Sequence, residues 1–287
     1  SSVASNGLVC TVFTDNVTSG TSTVPKYKYV IANSITGQNI IAPTEISPSL
    51  GTVEGPPKVF LLGNYFVIVF TNLISGAYYL KYFTISTANT ALISADHSIT
   101  NRYIPTSTYA FDGYVANSNL YLAWNSTDAS GGVRVTHLDS TLALYTSVLF
   151  SGHAATHISV TADNSLTTPL IYVSFYSSTS QNGYTLVVDN NLSTILAPTQ
   201  IISGQDLCNI TSVADNQVCT ILTEVVNDYG YDSSIASHYI TSRTITQSGT
   251  VSSLVTVARG VGLASCAFLI NSNIYFLSVY QSDYQPS

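Results

Sequence analysis

Short apolar runs, each closed by a polar turn, recur along the chain at a nearly constant spacing. The clearest copies begin at Val9, Phe66, Leu120, Ile171, Val218 and Ile274, so the starts are 57, 54, 51, 47 and 56 residues apart. Each is five residues long, rich in Val, Ile, Leu, Tyr and Phe, and apolar on both faces. That pattern suits a strand sandwiched between neighbouring sheets. A second apolar stretch precedes most copies, at Lys58 to Leu62, Tyr109 to Ala116, His157 to Ala162, Ile210 to Ala214 and Ala264 to Ile270. The turns joining the two are Gly63-Asn64, Asn117-Ser118 and Asp215-Asn216, residue types that tolerate the left-handed backbone of tight hairpins. A polar loop and two further strands follow each copy, for example Tyr78 to Ile85 and Leu92 to Ile99.

Each unit therefore reads strand, hairpin, strand, loop, strand, turn, strand, with no sustained 3.6-residue period. The expected fold is all-β, a propeller of about five to six four-stranded blades. Tandem β-sandwich repeats are the alternative, but they would require odd and even repeats to differ. The repeats fall at 1–46, 56–99, 108–151, 156–203, 208–258 and 263–287, the last incomplete and the first opening on a stub at Ser2-Val3-Ala4.

Charge changes the picture more than any other number. Only 8% of the 287 residues are charged and the net charge is −7, against roughly 25% charged in an ordinary domain. Eight Lys and Arg residues are too few for nucleic acid. The most apolar stretch, Val59 to Ile74, is interrupted by Gly63, Asn64 and Asn72, so membrane insertion is not expected. The 20 tyrosines and the many Ser and Thr residues supply the polar surface instead. The chain contains no Met, which points to a processed chain or a piece of a longer one. A secreted or cell-surface location is expected, with a virion as the alternative.

Cys10, Cys208, Cys219 and Cys266 form no CxxC pair, which argues against zinc and leaves them as disulfide candidates with three pairings open. Four sequons make Asn16, Asn125, Asn191 and Asn209 candidates for N-glycosylation, Asn16 and Asn125 first because both lie just beyond a core strand. No metal site is expected; Glu224, Asp228 and Asp232 share one long stretch and are the candidate loop for calcium. His153 and His157 lie four apart in a predicted turn and strand, where packing is the plainer role. The remaining acids, among them Asp15, Asp112, Asp128, Asp163 and Asp215, are expected to shape turns.

The run Gly63 to Asn72, followed by Ser75-Gly76, Tyr79 to Phe83 and Leu92-Ile93, resembles the FG-GAP-like or integrin-type propeller repeats of large secreted bacterial and protist surface proteins. Leu120 to Trp124 followed by Asn125 to Gly131 matches that repeat best, although its aspartate-rich calcium loops are missing here. The resemblance implies an extracellular structural or adhesive module; the low charge, the many tyrosines and the Ser/Thr-rich loops extend that expectation to a glycosylated subunit of a surface filament or large adhesin. It would associate with itself or with other surface proteins, and glycans are further candidate partners. A phage or virus receptor-binding module is the alternative. A carbohydrate-active enzyme ranks third, because a sialidase needs clustered arginines and the chain has only Arg102, Arg134, Arg243 and Arg259. No catalytic residue is assigned, and the expectation is a protein that is not an enzyme.

Overall fold

The computed structural model describes the whole chain except residues 20–21, 101–102, 104–109, 128–130, 165–166, 204–205, 228–236, 260, 271–272 and 282–287. Among the described residues every regular element is a strand. The first sheet comprises β1 (Ser2–Ser5), β2 (Leu8–Ser19), β3 (Ser22–Asn33) and β4 (Asn39–Glu45). The second comprises β5 (Thr52–Val53), β6 (Lys58–Leu62), β7 (Tyr65–Ile74), β8 (Ala77–Ser86) and β9 (His97–Thr100). The third runs through β10 (Phe111–Ala116), β11 (Asn119–Ser126), β12 (Gly132–Leu138) and β13 (Val148–Ser151). The fourth has β14 (Ala155–Asp163), β15 (Leu170–Ser177), β16 (Asn182–Val188) and β17 (Thr194–Ser203). The fifth has β18 (Asp206–Asp215), β19 (Val218–Asn227), β20 (Ser237–Thr246) and β21 (Val255–Arg259), and β22 (Val261–Ile270) pairs with β23 (Asn273–Gln281).

Each sheet is a sequential antiparallel meander. In the second, β5 and β6 pair with successive stretches of the same side of β7, so the sheet keeps the four-strand order. The first strands β1, β6, β10, β14, β18 and β22 lie side by side in that order, and the sheets radiate from them in a propeller-like arrangement. The fold is thus the expected all-β, multi-bladed one.

The core lies between successive sheets rather than within any of them. Between the first and second it is built from Cys10, Val12, Tyr29 and Ile31 on one side and Phe66, Ile68, Phe70, Phe83 and Ile85 on the other. Equivalent layers follow, with Trp124 and Leu122 in the second, Val173 and Phe175 in the third, and Tyr172 and Ile221 in the fourth. All eight residues of β15 are buried, so a strand apolar on both faces serves two layers at once.

The first-strand hairpins use the turn chemistry expected of them. Asn6-Gly7, Asn117-Ser118 and Asn216-Gln217 all have positive φ at both positions, as a two-residue turn of that twist demands. In the last case the turn sits one residue beyond the expected Asp215-Asn216, because Asp215 still pairs with Val218. The stub expected at Ser2-Val3-Ala4 is a full partner of β2.

Three of the fourth strands begin later than the sequence pattern suggests, whereas β4 and β17 begin at Asn39 and Thr194, beside the expected Ile40 and Ile195. Ile93, Leu144 and Val251 make single bridges to Ile85, Leu138 and Ile245, and regular pairing resumes only at His97, Val148 and Val255. In the second and fifth sheets the ladder is interrupted where Thr84 N and Thr244 N donate to Ser94 Oγ and Ser252 Oγ, each at 2.9 Å. In the third and fourth the preceding turns are held by aspartates. Asp139 Oδ1 accepts from Thr141 N (2.8 Å) and Ala143 N (3.0 Å), and Asp189 Oδ1 accepts from Asn191 N (2.9 Å) and Ser193 N (2.8 Å). Each such turn drives a leucine, Leu142 or Leu192, into the left-handed region at φ 67° and 64°. Leu192 is nonetheless buried, anchoring the turn in the layer below.

Candidate functional site

The acids of the first strands bind neighbouring sheets together. Asp112, on β10, receives Lys58 Nζ from β6 at 2.6 Å on Oδ1 and Val160 N from β14 at 2.8 Å on Oδ2. One carboxylate thereby joins three consecutive blades. Ser159 Oγ continues the line, accepting from Ser212 N at 3.1 Å and lying 3.0 Å from Ser212 Oγ. Asp163 is fully buried and accepts from Gln217 N at 2.5 Å, tying the hairpin turn of one blade to the next. Neither Asp112 nor Asp163 is the turn-shaping residue expected; both are inter-blade clamps with committed oxygens.

The stretch between β4 and β6, residues 46–57, carries the short β5 and is far longer than the connection between the third and fourth sheets, residues 152–154. It folds back as a strap. Ile46 N donates to Tyr27 O (2.8 Å), Glu54 N to Thr71 O (2.9 Å), and Asn72 Nδ2 to Leu50 O (2.9 Å). Gly51 is needed there: its φ is 79°, and a Cβ would lie 2.2 Å from Leu73 O.

The strap creates two clefts that share Glu45, Ile46, Ser47 and Pro48 as a common wall. The first, of about 330 Å³, is floored by Tyr29, Phe70 and Phe83 and edged by Glu45, Ser47, Ser49, Ser94 and Asp96. Its rings form a tilted cluster, with Phe83 5.8 Å from Tyr29 and 6.0 Å from Phe70. Asp96 is paired with Lys81 at 2.6 Å, and Ser49 N reaches its Oδ1 at 3.4 Å. Burial works against its charge, but the hydrogen bonds from Lys81 and Ser49 outweigh that and hold the carboxyl below its ordinary value. Glu45 faces solvent and meets Lys26 at 2.8 Å. The second cleft, of about 390 Å³, is lined by Pro25, Lys26, Tyr27, Thr52, Val53 and Glu54 besides the shared wall.

The sequence singled out none of Glu45, Glu54 and Asp96, because no motif surrounds them; the one signal was the unusual length of the connection after the first unit. The residues it did single out are scattered. Asn16 is exposed on β2 and Asn191 is exposed in a turn, whereas Asn125 is 1% exposed with its Oδ1 accepting from Ala155 N at 3.1 Å. Cys10 and Cys219 are buried free thiols in different layers. Burial pushes the Cys10 thiol up to about 12 and that of Cys219 higher still. Asn209, Cys208, Cys266 and Glu224 lie on strands but their side chains fall outside the described residues, as do Asp228 and Asp232 altogether. Among the described residues no three His, Cys, Asp or Glu side chains converge as a metal site would require.

The histidines are packed on rings. His137 stacks on Tyr145 at 4.1 Å, and His153 lies 4.5 Å from Tyr184 and 5.6 Å from Phe175. Burial lowers the pKa of both imidazoles, with Asp139 opposing the shift at His137. His157 Nδ1 instead lies 3.0 Å from Thr156 Oγ. No described helix is long and apolar enough to cross a membrane.

No protein-family model and no curated protein matches the chain. Similar folds do occur among solved structures. The exo-beta-1,3-galactanase of Phanerochaete chrysosporium, solved with beta-1,3-galactotriose, has a TM-score of 0.44 at 14% identity, over 85% of this chain and 58% of the galactanase chain. This chain thus spans little more than half the length of that enzyme. A GH43_1 enzyme from Xanthomonas citri has a TM-score of 0.45 at 11% identity, over 88% of this chain and 89% of its own. An endo-arabinase from Bacteroides thetaiotaomicron has 0.44 at 10% identity, over 82% and 88%. These neighbours are glycoside hydrolase propellers and not integrin-type repeats, which corrects the resemblance drawn from Gly63 to Asn72. The expectation of a non-enzymatic structural or adhesive module, filament subunit or receptor-binding protein falls with it, having rested on that resemblance and on composition.

Proposed function

We propose that this protein is carbohydrate-active and takes a short saccharide into the cleft between its first and second sheets. The observation carrying this reading is one cleft of about 330 Å³ whose floor shows the edges of Tyr29 and Phe83 and whose rim carries the carboxylates of Glu45 and Asp96 and the hydroxyls of Ser47, Ser49 and Ser94. A sugar ring presents an apolar C–H face and a rim of hydroxyls, and this lining is complementary to both. The volume lies in the range of small-molecule sites.

The two carboxylates differ in setting. Asp96 is kept ionised by Lys81 and suits the stabilisation of positive charge developing on a sugar ring. Glu45 is reached by solvent and is the group placed to move a proton. The exposed sequon at Asn16 fits work outside the cell.

The test is a panel of oligosaccharides and aryl glycosides, scored for binding and for release of the aryl alcohol, on wild type and on Glu45→Gln. Glu45 is exposed, so this variant should fold as wild type does, as circular dichroism would verify. The expected result is saccharide-dependent turnover that falls about 100-fold in the variant. Absence of both binding and turnover across the panel would overturn the proposal.

A further inference from the structure

We propose that the second cleft seats a protonated amine, so that the preferred saccharide is an amino sugar with a free ammonium group. This rests on the glycan reading and narrows it. Three charged side chains line the cleft: Lys26, Glu45 and Glu54. Lys26 and Glu45 neutralise one another at 2.8 Å. Among the described residues the Glu54 carboxylate has no partner; only its backbone N–H is engaged, by Thr71 O at 2.9 Å. The cleft therefore carries one uncompensated negative charge on a half-buried wall, where a ligand cation is worth more than in open water.

The strap that carries Glu54 is held from behind by Asn72. Asn72 is completely buried, and while its Nδ2 holds the strap at Leu50 O, its Oδ1 receives no hydrogen bond. That oxygen lies directly behind Gly51: a Cβ on this cleft-lining glycine would come within 2.9 Å of it. It is sealed behind the Gly51 backbone, so the acceptor open to the cleft is the Glu54 carboxylate. Tyr27 Oη already accepts from Gly55 N at 2.9 Å and retains its own proton to donate to a hydroxyl. An ammonium group brings a full charge and three donors, whereas an acetylated nitrogen brings one donor and no charge. Because Glu45 to Pro48 wall both clefts, a single oligosaccharide can lie across the strap with its apolar ring face on Phe83 and its amine at Glu54.

The experiment is calorimetric titration of the full chain with three tetrasaccharides: β-1,4-glucosamine, its fully N-acetylated form and neutral cellotetraose. Each is run at mildly acidic pH and physiological salt, on wild type and on Glu54→Gln. The amine should bind about tenfold more tightly than the other two, as a charge-assisted hydrogen bond would give. Glu54→Gln should erase that preference and leave binding of the neutral sugars unchanged. Equal affinity for all three, or a preference that survives Glu54→Gln and so reflects only the net negative charge, would overturn the proposal while leaving the glycan reading intact. If no saccharide binds, the glycan reading fails and this inference with it.

Discussion

Replacing Asp112 by Ala should destabilise the protein well beyond a surface substitution. The carboxylate serves two partners from two other sheets, Lys58 Nζ at 2.6 Å and Val160 N at 2.8 Å. Removing it leaves the Val160 N–H without an acceptor in a partly buried strand, at about 1–3 kcal/mol. It also leaves an ammonium with no counter-charge; the two side chains are only 22% and 20% exposed, so about 1 kcal/mol more is expected. Lys58 retains part of its environment, since Nζ lies 5.4 Å from the centre of the Phe111 ring. The sum is about 2–4 kcal/mol, a fall in Tm of roughly 3–7 °C for a domain of this size. Asp112→Asn, which keeps one acceptor oxygen, should lose only about 1 kcal/mol. Urea unfolding monitored by far-ultraviolet circular dichroism gives these differences directly. The double variant Lys58→Met, Asp112→Ala should be less unstable than the two single losses added together. Loss of under 0.5 kcal/mol in Asp112→Ala would show that the clamp contributes nothing and that the first strands are held by backbone packing alone.

Gly51→Ala should collapse the strap without unfolding the propeller, because its φ of 79° and the 2.2 Å approach of Leu73 O admit no Cβ; saccharide affinity should fall while Tm drops by only a few degrees. His137 and His153 have lowered native pKa values, so the unfolded chain binds protons first as pH falls. Stability should therefore be full above about pH 6.5 and decline below it, and His137→Phe should flatten that slope in denaturation curves measured at successive pH values. In a glycosylating secretory host, peptide mass mapping should find sugar at the exposed Asn16 and Asn191 and none at Asn125, whose side chain is sealed against Ala155 N. A fully occupied Asn125 would mean that the third and fourth blades pack differently.

The strands were legible because their signal is local. A run such as Phe66 to Phe70 between Gly63-Asn64 and Ser75-Gly76 announces both its conformation and its ends. Three of the fourth strands were misplaced at their starts because side chains such as Ser94 and Ser252 take up the strand N–H groups of Thr84 and Thr244, contacts that no local pattern announces. The cleft was not legible at all. Glu45 ends one sheet, Asp96 precedes the last strand of the next, and Tyr29 and Phe83 read as ordinary alternating strand residues. What brings them together is the course of residues 46–57, fixed by a buried amide at Asn72 and a left-handed glycine rather than by any motif. The same holds for Asp112, whose partners are 54 and 48 positions away.

The placement of the core between sheets bears on how the chain acquires its structure. Each sheet is a contiguous segment of roughly fifty residues whose hairpins close locally, so it can take shape as soon as it leaves the ribosome. Its apolar face, however, finds a mate only when the following sheet arrives, because Phe66, Ile68 and Phe70 serve one neighbour and Val67 and Val69 the other. During synthesis the growing end is therefore always adhesive, and the slow event is the docking of one finished sheet on its predecessor. Slowed translation just after residue 100 should consequently raise the yield of aggregated chains more than the same pause within the second sheet.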